Sequence, residues 1–350
     1  MNINEYAKLF GDYKDGFNSF GLKCLTADKQ VKNGTVEVND IGNAKAFLKD
    51  KQSDKWCLIS GGFGNDKVET MMLGAVCGDV SGSVYEFNNI KHCISPDSMV
   101  AINARFTDDS VMTCAVAKGF QNALAKINIE EIENEEFDDY IENEIVNALV
   151  TYGRKYPHAG YGGSFRRWLL SDEHSAYNSW GNGSAMRASY AGWVSNSMYE
   201  AEHFAELSAK VTHNHPEGIK GAKVVAGCIY ILRHGGSKED VAEYVNNFYD
   251  IDFTLDEIRP MYHFDVSCQG SVPQAVVAFL EGNDFSDVIA KAISIGGDSD
   301  TIAAIAGSIA EVLYPIPQEF RGAVIDKLDD HLRNTLIDAI DFAVCRINHN

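Results

Sequence analysis

The stretch from Ile295 to Leu313 constrains this chain more than any other. Ile302, Ile305, Ala306, Ile309, Val312 and Leu313 follow the i, i+3, i+4, i+7 spacing of a helix with one strong apolar face. Just before it, Gly296-Gly297-Asp298-Ser299-Asp300-Thr301 crowds two carboxylates and a hydroxyl into the turn that opens the helix. The two glycines let the backbone turn tightly. One aspartate there would be an ordinary N-cap, but two flanking a serine are more than a cap needs. Carboxylates crowded at a buried helix start repel each other unless something positive sits between them. A hard divalent cation with oxygen ligands meets that need.

The same grammar recurs once. Phe106-Thr107-Asp108-Asp109-Ser110 leads into the apolar run Val111 to Ala117. Either cluster alone reads as a capping arrangement. Together they offer four carboxylates, from Asp108, Asp109, Asp298 and Asp300, with neutral oxygens from Thr107 and Thr301. A helix N-terminus carries partial positive charge, which disfavours a cation, so several carboxylates must outweigh it. All-oxygen ligation points to Mg²⁺ or Mn²⁺. The Cys/His set that zinc prefers is missing from both clusters. The central hypothesis is therefore a carboxylate-and-hydroxyl cage for two such cations.

A chain of 350 residues, 45% of them hydrophobic, has ample material for a sizeable core. A formal net charge of -20 and a pI of about 4.8 argue against an extended nucleic-acid surface. A small anionic ligand held by backbone N–H groups and a few arginines is still compatible. The eight cysteines form no CxxC pair, and Cys77, Cys114, Cys228 and Cys345 fall in apolar helical patterns. They read as small core residues of a reducing compartment. With no secretory start and no apolar stretch of membrane length, the sequence predicts a cytoplasmic protein with no membrane partner.

Residues 1–66 read as a small mixed extension of unassigned function. They hold β-like runs at 29–32 and 35–38, a short helix over 43–51 and a buried strand at 56–60. Residues 67–350 are expected to form an all-α catalytic domain, a compact orthogonal helical bundle. Its first helix, 68–84, has Gly74, Gly78 and Gly82 at every fourth position, an interval that lets another backbone pack closely. Further helices are predicted from the Thr-Asp-Asp triplet to 125, then over 141–156, 198–212, 216–234, 237–249, 272–281, 285–294, 301–314 and 318–343. The acidic run 130–144 reads as a solvated helix face or linker.

Two glycine-rich loops lie between these helices: Gly160-Tyr161-Gly162-Gly163 and Gly181-Asn182-Gly183-Ser184-Ala185-Met186-Arg187. Freed N–H groups in such loops suit a diphosphate, and Arg166, Arg167 and Arg187 stand nearby. Neither loop matches a Walker or Rossmann pattern, so the signal is weak unaided. Spacing alone makes Glu86 a surface residue at a helix end. His213 and His215, in Thr-His-Asn-His-Pro, read as a capping turn, with contact to a ligand as the alternative for one of them.

These blocks, in this order, resemble the ADP-ribosylglycohydrolase family, which includes dinitrogenase-reductase-activating glycohydrolases and ADP-ribosyl-arginine and ADP-ribosyl-serine hydrolases. The likeness runs over about 67–345. It rests on Leu73 to Glu86, Phe106 to Ser110, Gly160 to Gly163, Gly181 to Arg187, Thr212-His213 and Gly296 to Thr301. The family usually has Thr where Ser299 stands here, a small departure. The resemblance implies an all-α fold with two Mg²⁺ or Mn²⁺ ions in a central cleft. It implies that Thr107, Asp108, Asp109, Asp298, Asp300 and Thr301 are the metal ligands. It implies that Glu86, with Asp108, Asp109 and Asp300, carries the catalysis. It places Gly160, Tyr161, Gly162, Gly163, Gly181, Asn182, Gly183, Ser184, Met186, Arg187 and His213 in an ADP-ribose cradle.

The activity implied is hydrolysis at C1″ of ADP-ribose attached to a protein side chain or a small conjugate, with arginine favoured and serine possible. Two rivals stay open: a two-metal phosphohydrolase of a nucleotide diphosphate, and a non-catalytic ADP-ribose binding protein.

Overall fold

Helix follows helix through Met71–Ala339, and the isolated bridge Gly181–Ser267 is the sole β pairing among the described residues there. The computed structural model describes residues 22–25, 45–49, 56–59, 71–126 and 135–347. In chain order the helices are α1 (Leu73–Gly82), α2 (Asp108–Leu124), α3 (Glu135–Lys155), α4 (Gly163–Leu170), α5 (Ser189–Val194), α6 (Met198–Lys210) and α7 (Pro216–Arg233). Then come α8 (Lys238–Val245), α9 (Leu255–Ile258), α10 (Cys268–Glu281), α11 (Phe285–Ser294), α12 (Ser299–Leu313), α13 (Gln318–Ile325) and α14 (Asp330–Ile347).

The glycine stripe of α1 decides how the site is built. A Cβ on Gly74 would strike the Gly307 carbonyl, one on Gly78 the Ala303 carbonyl, and one on Gly82 the Asp300 Cα. The order of these partners makes α1 and α12 antiparallel, in contact backbone to backbone. The N-terminal end of α1 has no side-chain cap of its own, and Met72 there is left-handed, with φ 66°. The carboxylate of Glu311, fully buried near the end of α12, instead accepts the Gly74 N–H at 2.7 Å. Burial raises the Glu311 pKa well above its ordinary value, against the pull of the Gly74 and Met72 N–H groups. Glu311 therefore serves as a cap supplied from a distant part of the chain.

The apolar face expected on α12 is present, with Ile302, Ile305, Ala306, Ile309 and Val312 all buried. The other sides are buried too. Ala303, Ala304, Gly307, Ser308 and Ala310 let α1, α7, α10 and α11 approach closely. The helix is thus central rather than amphipathic.

Several expected boundaries shift. The single helix expected over 318–343 is two, α13 and α14, because Asp329 Oδ1 accepts the Leu332 N–H at 2.9 Å and starts a new helix. Helix α3 begins at Glu135 rather than 141, so part of the acidic run is its first turns; 130–134 lie outside the described residues. Asp138 and Glu142 on it pair with His203 and Lys210 of α6 at 2.7 and 2.6 Å. Helix α10 starts at Cys268, capped by Ser267, and carries Pro273 inside it.

The chain divides into two compact units, Met71–Ala339 and a second made of Met1–Thr70 with Ile340–Asn350. In the second, β1 (Leu22–Leu25), β2 (Lys45–Lys49) and β3 (Trp56–Ile59) form an antiparallel sheet in that order. The register pairs Leu22 with Leu48 and Ala46 with Ile59. The helix expected over 43–51 is instead β2: pairing on both edges overrides a short run's helical propensity. The strand expected at 56–60 is β3, while 29–32 and 35–38 lie outside the described residues.

The glycine contact gives a test. Gly78→Ala is expected to lower stability by about 3 kcal/mol, the upper end of overpacking costs, because backbone cannot yield as a side chain would. Gly322→Ala, with open space around it, is expected to be neutral or stabilising by up to ~1 kcal/mol. Thermal and urea melts of both variants check this; equal stability would refute the contact.

Candidate active site

Helix α1 turns Asp79 toward the start of α2. Asp79 is fully buried and accepts four hydrogen bonds there. Its Oδ2 takes the N–H groups of Thr107 (2.9 Å) and Ser110 (3.1 Å) and the Ser110 hydroxyl, and its Oδ1 takes the Thr107 hydroxyl (2.7 Å). The sequence reading missed Asp79. The signal was available, as a lone acid inside an apolar, glycine-striped helix, whose burial demands partners.

The two expected aspartate clusters converge. Thr301 Oγ1 donates to Asp109 Oδ2 at 3.2 Å across a sequence gap of 192 residues. Carboxylate oxygens of Asp79, Asp109 and Asp300 lie within 4.8 Å of one another, and so do those of Glu86, Asp298 and Asp300. Asp300 belongs to both groups. Gly296 and Gly297, with φ of 69° and 78°, make the left-handed turn that delivers Asp298. Asp298 Oδ2 is held by Asn182 Nδ2 at 2.7 Å, and Asn182 also donates to Ser271 at 2.9 Å.

Burial raises the pKa of every one of these acids; neighbouring charges add to it at Glu86, Asp108, Asp109 and Asp300, while hydrogen bonds oppose it at Asp79 and Asp298. Asp109 and Asp300 lie well above the ordinary range, from burial and then from Asp79 and Asp109 respectively. Burial and the Asp79 charge push Asp108 up to about 8; burial and Asp298 push Glu86 to about 7. Asp79 and Asp298 are raised by burial. Among the described residues no lysine or arginine forms an ion pair with these six. The Asp109 Oδ1 atom is buried without a hydrogen-bond partner. An all-oxygen donor set, mutual repulsion and an orphaned carboxylate oxygen fit a hard divalent cation.

A cavity of about 430 Å³ opens on this cluster. Glu86, Asp108, Asp109, Asp298, Asp300 and Thr301 line one part of it. Gly160, Gly162, Gly163, Gly181, Asn182, Gly183, Met186, Arg187 and His213 line the rest, with aromatic surface from Phe87, Phe165, Tyr177 and Phe264. Glu86 is therefore a cavity residue, as the resemblance implied and spacing alone did not. Gly160 needs to be glycine: its φ is +120°, and a Cβ would sit 3.0 Å from Asp108 Oδ1. A Cβ on Gly183 would sit 3.2 Å from His213 Nε2.

Three expected site residues stand behind the cavity wall. Thr107 holds Asp79, the buried Tyr161 packs on Phe165 with ring centroids 5.3 Å apart, and Ser184 donates to the Gly218 carbonyl at 2.7 Å. Arg166 and Arg167 are not part of the lining; they donate to the Pro157 carbonyl and to the Ser164 hydroxyl. His215 caps α7 by accepting the Glu217 N–H.

Arg187, Thr212 and His213 form a relay. The buried Arg187 guanidinium donates to the Ser208 carbonyl (2.9 Å) and to Thr212 Oγ1 (2.8 Å), and Thr212 Oγ1 lies 2.7 Å from His213 Nδ1. Arg187 fills one lone pair of the Thr212 oxygen and leaves the hydroxyl proton free to point to Nδ1. In that arrangement His213 carries its hydrogen on Nε2, the nitrogen that faces the glycine loop and the cavity. Burial, and then Arg187, lower the His213 pKa well below its ordinary value, so the ring is neutral.

The sequence pattern of the ADP-ribosylglycohydrolase family matches residues 64–343. The chain belongs to this family. ADP-ribosylglycohydrolases are glycosidic-bond hydrolases, and this chain is one of them. It is similar to the ADP-ribosylhydrolase ARH3 of Mus musculus, 26% identical over 322 residues, covering 71% of this chain and 83% of that protein. It is also similar to the ADP-ribosylarginine hydrolase Tri1 of Pseudomonas putida (strain GB-1), 23% identical over 278 residues, covering 72% of this chain and 71% of that one. A solved structure described as an ADP-ribosylglycohydrolase-related protein complex shares the fold. Its TM-score is 0.56 at 19% identity, over 81% of this chain and 98% of that one. Among the described residues no helix is long and apolar enough to cross a membrane.

Two outcomes follow from the site's electrostatics. Acids with raised folded-state pKa values hold protons that the unfolded chain has released. Without added metal, stability should therefore fall as pH rises from about 4, the ordinary carboxylate range, toward about 8. Melting curves with chelator should show Tm falling over that window, with saturating Mn²⁺ opposing the fall; a rising Tm with chelator would contradict the cluster. Separately, Thr212→Val should abolish the preference of His213 for the Nε2–H tautomer, read by long-range ¹H–¹⁵N NMR of the imidazole.

Proposed function

We propose that this protein hydrolyses the glycosidic bond at C1″ of ADP-ribose linked to a protein side chain, with arginine preferred, and releases ADP-ribose. The observation that carries this reading is the sharing of Asp300 between two carboxylate groups at the wall of a cavity of about 430 Å³. Asp108, Asp109, Asp298, Asp300 and Thr301 would hold two Mg²⁺ or Mn²⁺ ions, with Asp79 a sixth candidate donor and Thr107 fixing Asp79. Bound there, the ions would supply Lewis acidity and a lowered pKa for bound water.

The chain's own groups divide the remaining work. Glu86, pushed to about 7, is poised near neutrality to take a proton from the attacking water and return it to the leaving group. The surrounding carboxylates stabilise positive charge that develops on the ribose as the bond to C1″ breaks. The N–H groups of the Gly160–Gly163 loop and of Gly183, with His213, would meet the diphosphate, and the buried Arg187 charge stands behind His213; the Gly181 and Asn182 N–H groups are taken by Ser179 and Val266.

The preference for arginine rests on the cavity mouth. Phe87 and Phe264 stack there with centroids 6.1 Å apart, beside Glu86. A planar guanidinium leaving group suits an aromatic face next to a carboxylate. The name of the Pseudomonas putida relative, an ADP-ribosylarginine hydrolase, supports the same acceptor.

The test is release of free ADP-ribose from ADP-ribosyl-arginine and ADP-ribosyl-serine peptides with Mg²⁺ or Mn²⁺, each with and without chelator. The arginine substrate should be cleaved faster, and chelator should stop both. Asp108→Ala and Asp300→Ala should each lose at least ~100-fold in kcat, the scale of one lost electrostatic stabiliser. Full activity in either variant would remove that residue from the site. AMP plus ribose phosphate as products would replace this reading with a phosphohydrolase.

A further inference from the structure

The segment after α1 carries Glu86 out of the helix and across the acidic cluster. From Phe87 to Asn89 it is exposed, and a single backbone turn bond, Asn88 N–H to the Tyr85 carbonyl at 3.1 Å, spans Glu86. Carboxylates as close as Glu86, Asp298 and Asp300 repel one another, so an unrestrained Glu86 would swing toward solvent. Three side chains of the segment fasten it to the opposite wall.

Asn89 is the middle fastening. Its Nδ2 donates to the Glu86 carbonyl at 2.8 Å and the Tyr85 carbonyl at 3.2 Å. Its Oδ1 accepts the N–H of Gly297, the residue before Asp298. Further along, Lys91 Nζ donates to the carbonyls of Ile295 (2.6 Å) and Tyr262 (2.5 Å). On the other side, Phe87 stacks on Phe264. The left-handed turn at Gly296 and Gly297 brings that N–H to Asn89, and a Cβ on Gly296 would sit 2.6 Å from Asn89 Oδ1.

The geometry points to Asn89 as a positioning residue: its amide ties the Glu86 segment to the Asp298 turn and so fixes the Glu86 carboxylate against the cluster. Phe87 and Lys91 flank that tie and limit the hinge of the segment. The Asn89 bonds to the Glu86 and Tyr85 carbonyls are exposed, where hydrogen bonds open most easily, while its bond to Gly297 is part-buried. This inference rests on the reading of Glu86 as the proton-handling group.

A double-mutant cycle on the full-length protein tests it, with an ADP-ribosylated arginine peptide and Mg²⁺. Asn89→Ala is expected to lower kcat about tenfold and to leave KM within about threefold, since the Asn89 amide acts on a neighbour rather than on substrate. Combined with Glu86→Gln, it should cost no more than about twofold beyond Glu86→Gln alone, because both changes remove one function. Asn89→Asp keeps the acceptor for Gly297 and loses the donor to Glu86; it should be as slow as Asn89→Ala with a wild-type Tm, and it decides the matter where the alanine variant folds poorly. Wild-type kcat in Asn89→Asp and Asn89→Ala, or defects that multiply with Glu86→Gln, would overturn the inference alone. Wild-type kcat in Glu86→Gln would overturn the reading of Glu86, and this inference with it.

Discussion

Two helices meet backbone to backbone, and the acidic cluster exists because they do. With glycine at 74, 78 and 82, the axis of α1 comes down onto Gly307, Ala303 and Asp300 of α12. Any side chain at those positions would hold the helices apart by its own thickness. At this separation Asp79, one residue past Gly78, brings a carboxylate oxygen within 4.8 Å of one from Asp300. The Glu311 carboxylate fixes the pair end to end by capping the first turn of α1. Packing therefore sets the spacing of the acids, and the acids do not set the packing.

That arrangement concentrates negative charge where solvent cannot relieve it. Part of the burden is met by the chain. The α2 N-terminus spends two N–H groups and two hydroxyls on Asp79, and Asn182 supports Asp298. The remainder is unmet, as the partnerless Asp109 Oδ1 and the raised pKa values of Asp108, Asp109 and Asp300 show. Buried carboxylates left in this state are costly, and no core of this kind persists for stability alone. The deficit is the physical mark of a site shaped for positive charge.

Much of this was legible in the sequence, because the relevant signals are local. Glycine at every fourth position announces close helix packing, paired glycines before Asp298 announce a left-handed turn, and Thr107 announces a cap. What escaped depended on contacts between distant segments. Asp79 looks like one polar residue in an apolar helix until Thr107 and Ser110 arrive. Helix α12 shows a single apolar stripe, yet its alanines and glycine are covered as fully as its isoleucines. The roles of Tyr161 and Ser184 behind the wall, and of Phe165, Tyr177 and Phe264 in it, depend on loop paths that no spacing rule encodes. Asp329, which divides α13 from α14, resembles any acid in a helical run until its hydrogen bonds are seen.

The cavity's two sides carry opposite fields. On one side stand five carboxylates, with Asp79 buried behind them; on the other, glycine backbone, the neutral His213 ring, and the buried Arg187 guanidinium behind it. Arg187 finds no carboxylate partner among its contacts, so its charge is offset only by carbonyl and hydroxyl dipoles. A ligand with an anionic diphosphate and a hydroxyl-rich sugar has one favourable orientation in such a field: phosphates toward the donors, sugar toward the acids. The reverse would press phosphates against carboxylates at close range in a partly desolvated space, where repulsion is least screened. Orientation is thus biased by the fold before any chemistry begins, with Glu86 on the wall that faces the sugar end.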